Sequence, residues 1–412
     1  MSEQAAVGAK VHGRHVAATA AIIPDIEVLR AVAILYVLYQ HSEDLLPWVN
    51  VWGRFTYWGG VDLFFAISGF VIARSLIQQE STRAQPHERT WARFWSLAVP
   101  FWVRRAARLL PSAWLWILIV IAGALFFNRF GRFGALSKVC HDALAALLYF
   151  ANFHWFACNA NWGLGCDGKQ QMGPYWSLSL EEQFYFLFPF FFFFLARRRA
   201  LVFLSAGVLA QLVLPRPLDS FLWYIRTDAL LLGVAIAYWQ SSPSYRALQP
   251  RILHRGAVAL LVSVPLIALI AIIPAPLRAI PYSTGLLALV CGALVLLASY
   301  DCGYIMPAGL LRRGLLWVGT RSYALYLIHE PVFAFSREFW LRVQAWGLVV
   351  DGGRALPLVT TALVLLLGLA EANHRLVELP LRERGRNIAA ALARRLTRAA
   401  DLGEGKPHAT AA

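Results

Sequence analysis

Charge is what this chain has least of. Of its 412 residues, 15% are Asp, Glu, Lys or Arg, whereas a soluble domain carries about 25%. With 59% of residues hydrophobic, there is too little polar surface to keep a globule of this size in water, which argues against the soluble classes. Acidic residues are the scarcer sign, and the net charge is +15. In an apolar chain such an excess belongs to cytoplasmic loops, where Lys and Arg set topology, so no nucleic-acid partner is expected. Cysteine is sparse as well, with five residues at 140, 158, 166, 291 and 302. None forms a Cys-x-x-Cys or Cys/His spacing suited to zinc, and no metal is expected. Cys158 and Cys166 could close a short loop in an oxidising exterior, or could be free. The first 24 residues lack an apolar core long enough for a secretory signal. No repeat of fixed period is present, and no long polar stretch suggests an appended soluble domain.

What the chain does have is apolar length. Segments near 27–46, 60–78, 107–127, 177–195, 199–214, 226–241, 256–274, 283–301, 317–335 and 355–373 are long enough to span a bilayer. A further segment, 143–156, is short and flanked by polar loops, and reads as a re-entrant or surface helix. The expectation is an all-α polytopic membrane protein with about ten transmembrane helices. Alternating these spans from a cytoplasmic N-terminus puts 24 Lys and Arg inside and 11 outside, which favours both termini in the cytoplasm. The expected organisation is a cytoplasmic tail over 1–24, a transmembrane domain over 25–385 in contact with membrane lipids, and a cytoplasmic tail over 386–412. The run "FPFFFFFL" reads as lipid-facing bulk.

Ionisable residues inside such spans are expensive and point to function. "LRAVAILYVLYQH" places His41 eleven residues after Arg30, about three helical turns, so the two share one face some 16 Å apart. With Arg30 at the cytoplasmic interface, His41 would lie near the midplane. "GGVDLFFAISGFVIARSL" puts Asp62 at the outer end of the next span, where it could orient an imidazole or simply favour the helix start. Its glycines, Gly59, Gly60 and Gly69, permit close helix approach. "FWVRRAARLLP" gives Arg104, Arg105 and Arg108 at helical spacings that make one cationic patch, matched to phosphate or to lipid headgroups. In "YWSLSLEEQFYFLFP", Ser179 and Glu182 have capping-box spacing. That leaves Glu181, on one face with Tyr185, needing an Arg or the His41 imidazole. "RSYALYLIHEPVFAF" carries Ser322, Tyr326 and His329 as a polar stripe that faces protein or water and not lipid, with Glu330 next. "RTDALLLGV" offers Arg226 and Asp228 as an ion pair.

In this order the motifs resemble the acyltransferase 3 family of polytopic membrane O-acyltransferases. The resemblance runs over about 25–385 and includes the Arg-x-x-Arg pair Arg105 and Arg108. It implies transfer of an acyl group, usually acetyl, from acyl-CoA to a hydroxyl of a cell-surface polysaccharide, a lipid-linked glycan or, in some members, a lipid or small natural product. By matching position His41 would be the catalytic histidine, Arg30 its partner, and Glu181 a further catalytic group. Arg104, Arg105 and Arg108 would bind the donor. Asp62, Glu182, Tyr185, Tyr326 and His329 would shape the site. The chain departs from the family where "MGPYW" precedes the serines and where Glu330, not an aromatic, follows His329. The resemblance implies no metal cofactor and a place in the cytoplasmic membrane. A glycan or lipid transporter is the rival class, but it would favour broken, symmetric half-repeats, which this chain lacks.

Overall fold

The computed structural model describes residues 22–46, 55–81, 89–160, 171–275, 280, 282–346 and 355–404. All regular structure among them is helical. In chain order the helices are α1 (Pro24–Gln40), α2 (Gly59–Ser81), α3 (Trp91–Phe126), α4 (Leu136–Leu147), α5 (Ala151–Asn159), α6 (Tyr175–Phe194), α7 (Arg197–Val213) and α8 (Phe221–Tyr224). They continue with α9 (Asp228–Gln240), α10 (Pro243–Ala247), α11 (Gly256–Ile272), α12 (Ser283–Ser299), α13 (Leu310–Thr320), α14 (Ser322–Ala345), α15 (Ala355–Asn373) and α16 (Leu379–Glu404). A π-helical stretch, His374–Glu378, joins α15 to α16 without a break. Helices satisfy their own backbone, which is the requirement an apolar solvent imposes.

Among the described residues, four helical stretches are long and apolar enough to cross a membrane: Gly59–Ser81, Trp91–Phe126, Phe221–Gln240 and Leu356–Ala400. Helices α1, α7, α11 and α12 have 17 residues each, about 25 Å of rise, somewhat short of the ~20 residues a full crossing takes. The outside of the molecule is apolar: Phe203, Leu261 and Val364 are 69%, 74% and 65% exposed. An exterior of that kind suits lipid.

The centre is built on α2, where Leu63, Phe65, Ala66, Ile67 and Phe70 are at or near zero exposure. Its tightest neighbour is α9. A Cβ at Gly69 would strike the Leu230 carbonyl, and one at Gly233 would strike the Ala66 carbonyl, so each helix presents its glycine to the other's backbone. α1 packs on α2, α12, α13 and α14, while α3 lies along α16 and also meets α6 and α14.

Several boundaries differ from the sequence reading. α1 stops at Gln40, six residues before the expected end, because His41 takes bridge-region dihedrals and Ser42–Asp44 tightens into a 3-10 turn. α3 starts at Trp91, not near 107. Thr90 caps it by accepting from the Arg93 N–H, and Pro100 and Pro111 are carried inside the helix. The 143–156 segment is two helices that part at Tyr149, whose φ is +55°. The segment at 317–335 is also two helices, parted at Arg321, whose guanidinium is drawn to Glu371 on α15. α16 runs across position 385. The phenylalanine run is not simply lipid-facing. Phe188, Phe192 and Phe193 are buried, and Phe190, Phe193 and Phe194 meet Phe94 of α3. Cys158 is disulfide-bonded, and Cys166, the partner considered from sequence, lies outside the described residues.

Candidate active site

The end of α1 fixes His41. Its Nδ1 lies 2.9 Å from the Val37 carbonyl. A carbonyl can only accept, so this nitrogen carries the proton and Nε2 is left as the basic atom. Nε2 faces Glu330 Oε1 at 3.7 Å. His41 is 39% exposed on its side chain and Glu330 13%. This is a helix end, not the mid-helix position expected from a span over 27–46.

α14 supplies the facing wall. Along one face, Tyr323 donates to the Leu109 carbonyl (2.7 Å), Tyr326 shares a hydrogen bond with Ser177 (2.6 Å), and His329 follows one turn on. The His329 ring is fully buried, 5.9 Å from the Tyr326 ring and 5.0 Å from the His41 ring, centroid to centroid. Its Nδ1 is 3.3 Å from the Leu325 carbonyl, and its Nε2 is 3.9 Å from Glu330 Oε1. The stripe read at Ser322, Tyr326 and His329 therefore faces protein.

Tyr326 also lines a cavity with about 680 Å³ of space between atoms, part of it open to solvent. Arg30, Arg105, Arg108, Ser68, Glu181 and Tyr185 line it too. Arg30 is held by Glu27 at 2.9 Å. Arg105 lies over the rings of Phe101 and Tyr185, 5.7 and 5.6 Å from their centroids. Glu181 accepts from the Tyr185 hydroxyl and from Ser68 (3.1 Å), so its partners are hydroxyls and not the His41 imidazole. Three arginines against two acids, Glu27 salt-bridged to Arg30 and Glu181 held by hydroxyls, leave a wall of net positive charge suited to an anionic ligand. Tyr326 and His329 connect this wall to His41.

Other expected groupings are corrected. Arg104 is not part of the patch. It donates to Gln79 of α2 at 2.6 Å, and Arg30 of α1 takes the third place instead. Asp62 does not orient an imidazole. It is fully buried and bidentate with Arg226 at 2.8 and 3.0 Å. The rings of Trp58, Trp176 and Trp223 enclose that guanidinium at 5.3, 4.9 and 4.1 Å. Asp228 pairs with Arg216 at 2.6 Å and not with Arg226. Ser179 lies inside α6 and accepts from the Ala151 N–H at 3.1 Å, so there is no capping box, and Glu182 Oε1 is buried with no hydrogen-bond partner among the described residues.

Sequence reasoning passed over Glu330 as a site residue, and its position beside His329 was the available signal. It also missed Ser68, a lone serine in an apolar run that gives no signal, and Ser177, whose place two residues before Ser179 in the quoted motif was the available one.

The chain is similar to several known proteins. YrhL of Bacillus subtilis is 29% identical over 380 residues, covering 88% of this chain and 55% of that one. The peptidoglycan O-acetyltransferase OatA of Listeria monocytogenes is 27% identical over 395 residues, covering 88% and 56%. The O-acetyltransferase OatA of Staphylococcus aureus is 26% identical over 378 residues, covering 88% and 58%. The chain thus spans a little over half the length of these relatives. No solved structure matches it. The acyltransferase domain family matches residues 23–370, and the chain belongs to that family, acyltransferase 3.

Proposed function

We propose that the chain is a membrane O-acetyltransferase that moves an acetyl group from acetyl-CoA to a hydroxyl of a cell-surface glycan. Family membership supports the reaction class, and the names of the Bacillus and Listeria relatives, both peptidoglycan O-acetyltransferases, support a glycan acceptor. The observation that carries the site is the His41 imidazole, with Nδ1 held by a main-chain carbonyl and Nε2 turned to Glu330. In this reading the chain crosses the cytoplasmic membrane about ten times with both termini inside, and Arg30, Arg105 and Arg108 receive the donor's phosphates from the cytoplasm.

The chemistry follows from the tautomer. His41 Nε2 takes the proton of the acceptor hydroxyl as its oxygen attacks the thioester carbonyl. The C–S bond breaks, and the departing thiolate recovers the proton from the imidazolium. Glu330 stabilises the imidazolium while it exists, and the Val37 carbonyl keeps the ring oriented throughout. The acyl group could instead pass first to Nε2 and then to the hydroxyl, with the same balance of protons.

The test uses purified protein, acetyl-CoA labelled in the acetyl group, and a glycan acceptor. His41→Ala abolishes label transfer. Full donor turnover and product formation by that variant would overturn the role given to His41. Comparing the acetate content of surface polysaccharide in cells with and without the protein tests the acceptor class.

A further inference from the structure

Both imidazoles beside Glu330 are built alike. His41 gives its Nδ1 proton to Val37 and His329 to Leu325, each to a carbonyl one turn back. Both Nε2 atoms therefore carry lone pairs, and both approach one oxygen, at 3.7 and 3.9 Å from Glu330 Oε1. These separations are too long for N–H···O hydrogen bonds, and in this tautomer neither nitrogen has a proton to offer. One donor atom from each of the three residues lies within 4.8 Å of the others. His329 is fully buried, and its Nε2 has no hydrogen-bond partner among the described residues. A buried acceptor of this kind, beside a second lone pair and a carboxylate, calls for a positive centre between them.

We propose that His41, His329 and Glu330 bind a divalent transition metal, with Zn2+ the best match. Two neutral imidazoles and a carboxylate are a zinc ligand set, and three protein ligands leave a fourth position open. Anchoring of each ligating ring through its other nitrogen to a carbonyl is the outer-shell arrangement that fixes such ligands. Mg2+ and Ca2+ prefer oxygen-only sites and fit poorly. Zinc bonds of about 2.0–2.1 Å separate tetrahedral ligands by roughly 3.3–3.4 Å, so the two His–Glu pairs need to close by about half an ångström, and the two imidazole nitrogens, within 4.8 Å of one another, by up to about 1.4 Å. His41, at a helix end and partly exposed, is the ligand able to move onto a fixed His329. In one respect this rests on the proposed reaction: metal on His41 Nε2 occupies the lone pair the base needs, so bound Zn2+ stops transfer.

The test measures metal directly. The full chain, purified through a tag without histidines and stripped with chelator, is titrated with Zn2+. Bound metal is counted by inductively coupled plasma mass spectrometry after gel filtration. The expected result is one Zn2+ per chain. Affinity falls by at least the order of 10- to 100-fold seen for outer-shell changes in both His329→Ala and the isosteric Glu330→Gln. It is unchanged in His154→Ala, whose ring is engaged by Asp142 at 2.7 Å. Wild-type affinity in folded His329→Ala and Glu330→Gln, or no saturable Zn2+ binding by the wild type, overturns the site. Because no acyl donor is present, Zn2+ binding stands even if the transfer reading fails. Conversely, His41-dependent transfer in a protein that never binds Zn2+ would sink the metal site alone.

Discussion

Glu330→Gln keeps the size and planarity of the side chain and removes one charge beside His41. The carboxylate oxygen lies 3.7 Å from His41 Nε2. Once His41 has taken a proton, a unit charge pair at that distance is worth about 1 kcal/mol at the dielectric of water and about 4.5 kcal/mol at an effective dielectric of 20. His41 is 39% exposed on its side chain, so the lower part of that range applies, roughly 1–2.5 kcal/mol. The variant should therefore transfer acetyl about 5- to 70-fold more slowly. The loss should fall on kcat, because the cation exists only after proton transfer has begun. The assay is the initial rate of transfer from labelled acetyl-CoA by purified protein, with chelator present so that bound metal contributes nothing. Glu330→Asp retains the charge and should recover part of the rate. A Glu330→Gln rate within twofold of wild type, or a loss confined to KM, would refute the reasoning.

Two further outcomes are expected. Arg105→Ala and Arg108→Ala should each raise the KM for acetyl-CoA by about 10- to 100-fold, the scale of losing a charged hydrogen bond. Arg104→Ala should stay within about twofold, since Arg104 turns to Gln79, and saturation kinetics on the three variants decides the matter. Asp62→Ala should destabilise the fold by about 3–5 kcal/mol, because it leaves Arg226 buried and uncompensated. Thermal unfolding of the purified protein in detergent, followed by circular dichroism, reads this.

The helical character of the chain was legible because it rests on apolar length, a property of single segments. The Arg30–His41 spacing was legible for the same reason, and so was the stripe on α14, since helical periodicity relates residues on one helix without reference to any other. What depends on a second helix was not. Asp62 has a carboxylate's usual range of partners, and only the packing of α2 on the α8–α9 connection selects Arg226 164 residues away. Arg104 and Arg105 are neighbours in sequence but point about 100° apart on a helix, and which of them meets the cavity is decided by where α1 and α6 lie. Glu330 follows the same rule, since it matters only because the end of α1 reaches it. Breaks such as Arg321 escape hydropathy because the apolar run continues through them and the cause, Glu371, sits on α15.

α3 is one unbroken helix of 36 residues, about 54 Å of rise, against a hydrocarbon core of about 30 Å. From Arg108 to Phe126 the rise is about 27 Å, so the apolar half of α3 has the length of the core, and in the proposed arrangement its arginines fall at one edge. His41 stands roughly 16 Å along α1 from Arg30, which shares the arginines' cavity. A donor gripped by its charge at that edge and reacting at His41 needs its acyl group at the far end of a long, thin arm. If one donor is held by the arginines and reacts at His41, as proposed, an acyl phosphate, with charge and acyl group only bonds apart, would not reach from one to the other. The geometry would then choose among activated acyl compounds by reach, before any contact with the acyl group itself.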